Sequence, residues 1–279
     1  LNETVNPETR VGIIEELRNL FSRIISKRLK VIHAPRYPVE EGEELVDVGQ
    51  LVTEVKAGNL TPKVWQDIEI REKKGDKFGE VEITLVCDRS SSMNDGDGSK
   101  AEQQRKSAVL VMEVLKDFAE MCRENEINME KSLKISSEIY GFGAGEDSTP
   151  MKKMSPELGE AERVKVLKQL YHLRGSTTDF NSLEAIHAGI DGGQRKRMKE
   201  GELKKIVIVF TDGDSDKPAE VQNKLNKLKE DGVVVIGIGM TKNGRSVLTT
   251  YAPNALVVED ISRLPLVVGE LLKEHLRDL

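Results

Sequence analysis

Between Val11 and Lys30 the apolar residues Ile13, Ile14, Leu17, Leu20, Phe21, Ile24, Ile25 and Leu29 recur at steps of three and four, which predicts an amphipathic helix. The two prolines of His33-Ala-Pro-Arg-Tyr-Pro38 bar its continuation. From there to Lys77 the chain is polar, with short extended candidates near Val39, over Val64-Trp-Gln-Asp-Ile68 and over Glu69-Ile-Arg71. Residues 1–78 hold too few apolar positions for a core of their own. They read as an N-terminal extension that packs on the remainder, because the helix stripe would otherwise face water over several turns.

From Gly79 the pattern changes to apolar runs alternating with helical stretches. Val81–Cys87, Leu133–Phe142, Ile206–Phe210, Val233–Ile238 and Ala255–Val258 read as strands, with a short segment around Met151-Lys-Lys-Met154. Helices are expected over Ser99–Asn125, Glu157–His172, Ser182–Lys199, Pro218–Glu230 and Ile261–Leu276. The Pro218–Glu230 helix supplies the crossover that a parallel pair of strands requires. The expected fold class is α/β: a doubly wound, mostly parallel six-stranded sheet with helices on both faces, occupying residues 79–279 and carrying the helical and extended arm 1–78.

Composition narrows the function. With 42 Lys+Arg against 48 Asp+Glu the net charge is −6, and only 4% of residues are aromatic, so a surface that tracks phosphates and stacks bases is disfavoured. The longest apolar runs fall far short of the ~20 residues of a membrane span. Cys87 and Cys122 are the only cysteines, and Cys87 lies inside a strand run, which argues against a disulfide scaffold or a thiolate zinc site and fits a reducing, cytoplasmic compartment. Leu1 stands where an initiator methionine would, so a preceding domain or targeting signal lies beyond what this stretch can tell.

The candidate chemistry lies in three loops. Asp88-Arg-Ser90-Ser-Ser92 follows the first strand, Thr177 lies in Gly175-Ser-Thr-Thr-Asp179 ahead of a helix, and Asp212 lies in Phe210-Thr-Asp-Gly-Asp214 after the strongest strand. In open α/β sheets the carboxyl edge, where such loops emerge, is where ligands bind. Two carboxylates and three hydroxyls without His or Cys form a hard oxygen set suited to magnesium or manganese. If the hydroxyls of Ser90, Ser92 and Thr177 bind directly while the aspartates act through water, the ion stays electrophilic enough to accept a carboxylate from a partner. Taken singly, Asp and Ser after a strand also cap turns and helices; the three motifs together favour the ion site. Thr178 is adjacent to Thr177, and the spacing to Leu183 favours Thr177. Asp179 reads as a cap of the following helix.

Asp-x-Ser-x-Ser at 88, 90 and 92, the threonine 89 residues after Asp88 and Thr211-Asp-Gly213 resemble the metal-ion-dependent adhesion site of von Willebrand factor type A domains, over about residue 79 to the end. Glu41-Gly-Glu-Glu-Leu-Val-Asp47, Gly58-Asn-Leu-Thr-Pro62, Val64-Trp65 and the strand leading into Asp88–Asp95 are similar to C-terminal regions of the cobaltochelatase subunit and the nitric-oxide-reductase activation protein. That resemblance implies an adaptor that works with a MoxR-type AAA+ ATPase to insert or activate a metal centre in a client protein, the client offering an Asp or Glu to a bound Mg2+ or Mn2+. Ser91 stands where many relatives have Gly, which leaves the ligand spacing intact. The acidic stretch usual upstream is absent.

The remaining motifs carry less. Gly141-Phe-Gly-Ala-Gly145 resembles a dinucleotide fingerprint, but a loop with Pro150 follows where the phosphate-binding helix belongs. Asn94-Asp-Gly-Asp-Gly98 lacks the downstream glutamate of a calcium loop and reads as a turn region. Gly237-Ile-Gly239 reads as close packing at a strand end, and Trp65 as an interior side chain. No Gly-x-x-x-x-Gly-Lys-Ser/Thr run is present, so nucleotide hydrolysis belongs to a partner. Competing readings are a surface or extracellular adhesion domain, which a secretory signal or disulfides would mark, and a magnesium-dependent phosphoryl-transfer enzyme, which usually carries Asp where this chain has Ser90.

Overall fold

The structure, a computed structural model, describes residues 12–28, 44–45, 48–66, 79–94, 99–129, 131–143, 145 and 148–277. The proline stretch at 33–38, the extended candidates at 39 and 67–71, the Asp-Gly turn at 95–98 and the side chain of Trp65 lie outside the described residues.

In chain order the elements are α1 (Ile13–Arg28), β1 (Glu44–Leu45), α2 (Val48–Lys56), β2 (Trp65–Gln66), β3 (Glu80–Asp88), α3 (Ser99–Glu124), β4 (Lys134–Phe142), β5 (Lys152–Ser155), α4 (Glu160–Tyr171), α5 (Asp179–Ala188), α6 (Gly192–Glu200), β6 (Leu203–Thr211), α7 (Pro218–Glu230), β7 (Val234–Met240), α8 (Val247–Thr250), β8 (Ala255–Val258) and α9 (Leu264–Leu276). The main sheet has six strands in the order β5-β4-β3-β6-β7-β8, with β4, β3, β6, β7 and β8 parallel and β5 antiparallel at the edge. Its central strands are buried on both faces, which is why they read as unbroken apolar runs. Val81, Ile83, Leu85 and Cys87 of β3 face α3 and α9, while Val86 of β3 and Val207 and Val209 of β6 face α5 and α7. No helix among the described residues is long and apolar enough to cross a membrane.

α1 lies against α3 and α9 and shares their core. The Phe21 ring stacks on Phe118 with centroids 3.9 Å apart and planes 3° from parallel. Gly269 on α9 lets Ile13 close in, since a side chain there would overlap the isoleucine. Ion pairs Arg18–Asp117 at 2.5 Å and Lys273–Glu16 at 2.7 Å flank the contact. Phe21→Ala is expected to cost about 3–5 kcal/mol, the range for truncating a buried Phe; a denaturant midpoint equal to that of the wild type would show α1 to be dispensable.

The helices at 182–199 and 48–56 depart from the sequence expectations. Ser182–Lys199 is not one helix: α5 stops at Ala188 and α6 begins at Gly192, where Asp191 and Gln194 form a reciprocal capping box. That Asp-x-x-Gln pattern satisfies the first N–H groups of a new helix. Residues 48–56, expected to be polar and largely extended, form α2 instead, a helix with Val48, Val52 and Val55 exposed.

Candidate metal centre

Strand β3 delivers Asp88 to the carboxyl edge of the sheet, and a short 3-10 turn, Ser91–Asn94, folds the serines back over it. Asp88 is fully buried, with Ser90 N–H donating to its Oδ1 at 2.7 Å and Asp212 N–H to its Oδ2 at 3.3 Å. The Gln104 side chain of α3 brackets the same residue, accepting from Asp88 N–H at 2.9 Å and donating to its carbonyl at 2.8 Å. The Ser90 and Ser92 hydroxyls are 2.9 Å apart, and Ser92 Oγ donates to Asp212 Oδ1 at 2.8 Å. Asp88, Ser90, Ser92 and Asp212 therefore form one hydrogen-bonded cluster, with the carboxylates deeper than the half-buried Ser92.

Thr177 reaches this edge through backbone contacts. The Ser91 N–H donates to the Gly175 carbonyl at 3.3 Å, Arg174 N–H to the Arg89 carbonyl at 2.8 Å, and Asp216 N–H to the Thr177 carbonyl at 3.0 Å. The Thr178 hydroxyl is engaged by Gly143 N–H at 3.1 Å, whereas no side-chain hydrogen bond of Thr177 is seen among the described residues. The Thr177 hydroxyl is thus the less committed of the two among the described residues.

Two glycines let the loops approach. Gly143 has φ +100°, and a Cβ there would lie 2.8 Å from the Ser90 nitrogen. Gly175 has φ +85°, and its Cβ would overlap the Gly143 carbonyl. The Gly141-x-Gly143 motif thus serves loop packing, not a dinucleotide, and Gly141 similarly makes room for the stem of Arg89, whose Cδ would lie 2.5 Å from a Cβ there. Arg89 is buried on that side, away from the serine hydroxyls.

Asp179 is the first residue of α5 and Thr178 its N-cap, so the aspartate does not cap the helix as its position suggests. Its buried carboxylate accepts from Ser215 Oγ at 2.5 Å and from the Tyr251 hydroxyl, tying the threonine loop to the loop after β6. Burial raises the Asp179 carboxyl above the ordinary range and the Tyr251 phenol well above its own. Gly237 seats Tyr251, whose Cβ lies 2.5 Å from where a side chain would begin, in keeping with close packing at that strand end.

Burial, with a smaller contribution from the nearby Asp212 charge, pushes the Asp88 carboxyl up to about 7, against hydrogen bonds from Ser90 that oppose the shift. Asp88, held away from water beside a second carboxylate, resists being charged unless a cation joins it. Among the described residues no group of three or more His, Cys, Asp or Glu side chains is placed to hold a metal, so the hydroxyls are needed to complete a donor set. The set is all oxygen and suits a small hard divalent ion.

The von Willebrand factor type A domain family matches residues 82–260 of this chain. The chain belongs to that family. This vWA chain is 28% identical over 204 residues to an uncharacterised protein of Treponema pallidum (strain Nichols), a match that covers 72% of this chain and 33% of that protein. It is similar in fold to proximal thread matrix protein 1 from the mussel byssus, at TM-score 0.50 and 22% identity over 70% of this chain and 48% of that one. A structure of the same mussel protein with a zinc-occupied MIDAS motif gives TM-score 0.50 and 20% identity over the same shares. The vWA chain thus spans about a third of the curated relative's length and about half of the solved chains.

Lys100, Gln104 and Tyr251 were not singled out by sequence, and Gly143 and Gly175 entered only as members of loop motifs. Lys100, on the first turn of α3, donates to the Ser92 carbonyl at 2.6 Å and pairs with Asp212 Oδ2.

Proposed function

We propose that this vWA domain is a metal-dependent protein–protein interaction module in which Ser90, Ser92 and Thr177 hold Mg2+ or Mn2+ directly and Asp88 and Asp212 act from behind them. The observation that carries the reading is the linked cluster of Asp88, Ser90, Ser92 and Asp212 at the carboxyl edge of β3 and β6. The zinc-occupied motif of the mussel protein supports a divalent ion in this family. Bound there, such an ion supplies an electrophile that accepts a carboxylate oxygen from a partner. Asp88, with its oxygens engaged by the Ser90 and Asp212 N–H groups, supplies charge and holds the serine turn. The reading assigns recognition and no catalysis.

The partner pair we propose is a MoxR-type AAA+ ATPase and a client with an exposed Asp or Glu, the vWA chain serving as cytoplasmic adaptor in insertion or activation of the client's metal centre. Support comes from the resemblance of residues 41–47, 58–65 and 88–95 to the cobaltochelatase-associated proteins and from the lack of a phosphate-binding loop in this sequence. In this scheme residues 79–279 form the interaction domain and residues 1–78 an extension packed on it.

Ser90→Ala combined with Ser92→Ala tests the reading. Calorimetric titration with Mn2+ is expected to show at least roughly a tenfold loss of affinity, while Ser91→Ala, an exposed neighbour, binds as the wild type does. Capture of an Asp- or Glu-bearing partner should fail in the double variant and in chelator. Unchanged Mn2+ affinity in the folded double variant overturns the assignment.

A further inference from the structure

A lysine is seldom found buried without a partner, and the first turn of a helix is the end whose dipole disfavours a cation. Lys100 runs against the second tendency and meets the first only through a partner: it is 8% exposed, sits one residue into α3, and reaches across the serine turn to the Ser92 carbonyl and Asp212 Oδ2. Asp212 compensates it. The same carboxylate presents its other oxygen to Ser92 Oγ, so Lys100 and the candidate ligand Ser92 share one aspartate.

On the metal-site reading above, this geometry has an electrostatic consequence. A fixed ammonium within contact distance of Asp212 offsets one of the site's two carboxylate charges and repels a second cation brought to the same cluster. Asp212 Oδ2 is already committed to nitrogen, so a water on an incoming ion must compete with Lys100 for it.

We propose that Lys100 is a built-in counter-cation of the metal site, competing with the divalent ion for Asp212 and holding the intrinsic affinity of the site low. Asp212 is then never left uncompensated, because the ammonium serves it when no divalent ion does. Retention of the ion comes to depend on the extra carboxylate that a partner brings. Lys100 is a positioning and charge-setting residue and not a ligand.

The test is Mn2+ titration of the full chain by calorimetry, together with thermal melts in chelator and in Mn2+. Lys100→Met is expected to tighten Mn2+ binding by roughly tenfold or more while lowering the melting temperature in chelator, where Asp212 loses its partner. The Mn2+-dependent rise in melting temperature grows as a result. Lys100→Arg, which keeps the charge, should bind as the wild type does. Lys100→Gln, which can still donate to the Ser92 carbonyl, provides the same reading if the methionine variant does not fold. A lysine with only a structural role predicts equal losses of stability with and without Mn2+ and unchanged or weaker affinity in both neutral variants, and that result overturns the proposal. Mn2+ binding that appears only once the lysine is neutralised supports it. Failure of the wild type and of every Lys100 variant to bind Mn2+ overturns the metal reading itself, and the proposal with it, whereas Mn2+ binding by the wild type that Asp88→Ala abolishes preserves that reading whatever Lys100 does.

Discussion

Gly175→Val is expected to unseat the threonine loop and remove Mn2+ binding altogether, while the sheet survives. Gly175 has φ +85°, a conformation that a β-branched residue rarely adopts, and its first side-chain atom would overlap the Gly143 carbonyl. The strain cannot be shed locally. Gly143 itself has φ +100° and is pressed against the Ser90 nitrogen, and the Gly175 carbonyl accepts the Ser91 N–H at 3.3 Å. Moving one loop therefore moves the other, and Thr177 is carried away from the edge that holds Asp88, Ser90 and Ser92. The expected cost is on the order of 3 kcal/mol, with strain and overpacking acting together. The core strands lie below this edge, so far-ultraviolet circular dichroism should be retained. A Gly175→Val protein that binds Mn2+ with wild-type affinity would refute the view that these glycines set the site.

Much of this arrangement could be read from the chain, because its strands are buried on both faces and so leave unbroken apolar runs such as Ile206–Phe210. The oxygen donors were also legible. Asp88, Thr177 and Asp212 each stand where a strand ends or a helix begins, and that placement follows from secondary structure alone. What escaped was information held in pairs of residues distant in sequence. Lys100, in the polar run leading into a helix, looks like an ordinary solvated side chain until β6 brings Asp212 beside it, 112 positions away. Gly143 and Gly175 acquire meaning only from each other. Asp179 resembles a helix cap in sequence, yet its carboxylate turns inward because Tyr251 and Ser215 arrive from later elements. α2 was also readable in principle, since Val48, Leu51, Val52 and Val55 recur at the spacing of one helix face, but the pattern is short and sits in an otherwise polar stretch. The split at Gly189–Asp191 was readable in principle, since Asp191 and Gln194 carry the capping-box spacing, but the apolar periodicity on either side runs through it.

The site is expected to burden the fold when no ion compensates it, and Asp88→Asn should expose that burden. The Asp88 carboxyl is pushed up to about 7 from an ordinary 3.8, chiefly by burial. Between those values Asp88 binds more protons in the folded protein than in the unfolded chain, so in chelator its contribution to stability is fully present below about pH 4 and is lost as pH rises toward 7. The shift corresponds to on the order of 4 kcal/mol disfavouring the charged form. A divalent ion offsets much of this at neutral pH: at a hundredfold excess over Kd it stabilises by about 2.7 kcal/mol, or roughly 5–10 °C in melting temperature for a domain of this size. The substituted amide keeps an oxygen for the Ser90 N–H and removes the charge. In chelator the variant should therefore lack the Asp88-dependent decline between pH 4 and 7, and at pH 7.5 it should show little gain from Mg2+ or Mn2+. Melting curves across that pH range, with and without ion, measure both effects. Parallel pH profiles for the two proteins in chelator, or an equal gain from the ion, would mean that Asp88 does not carry the charge on which the proposed site depends.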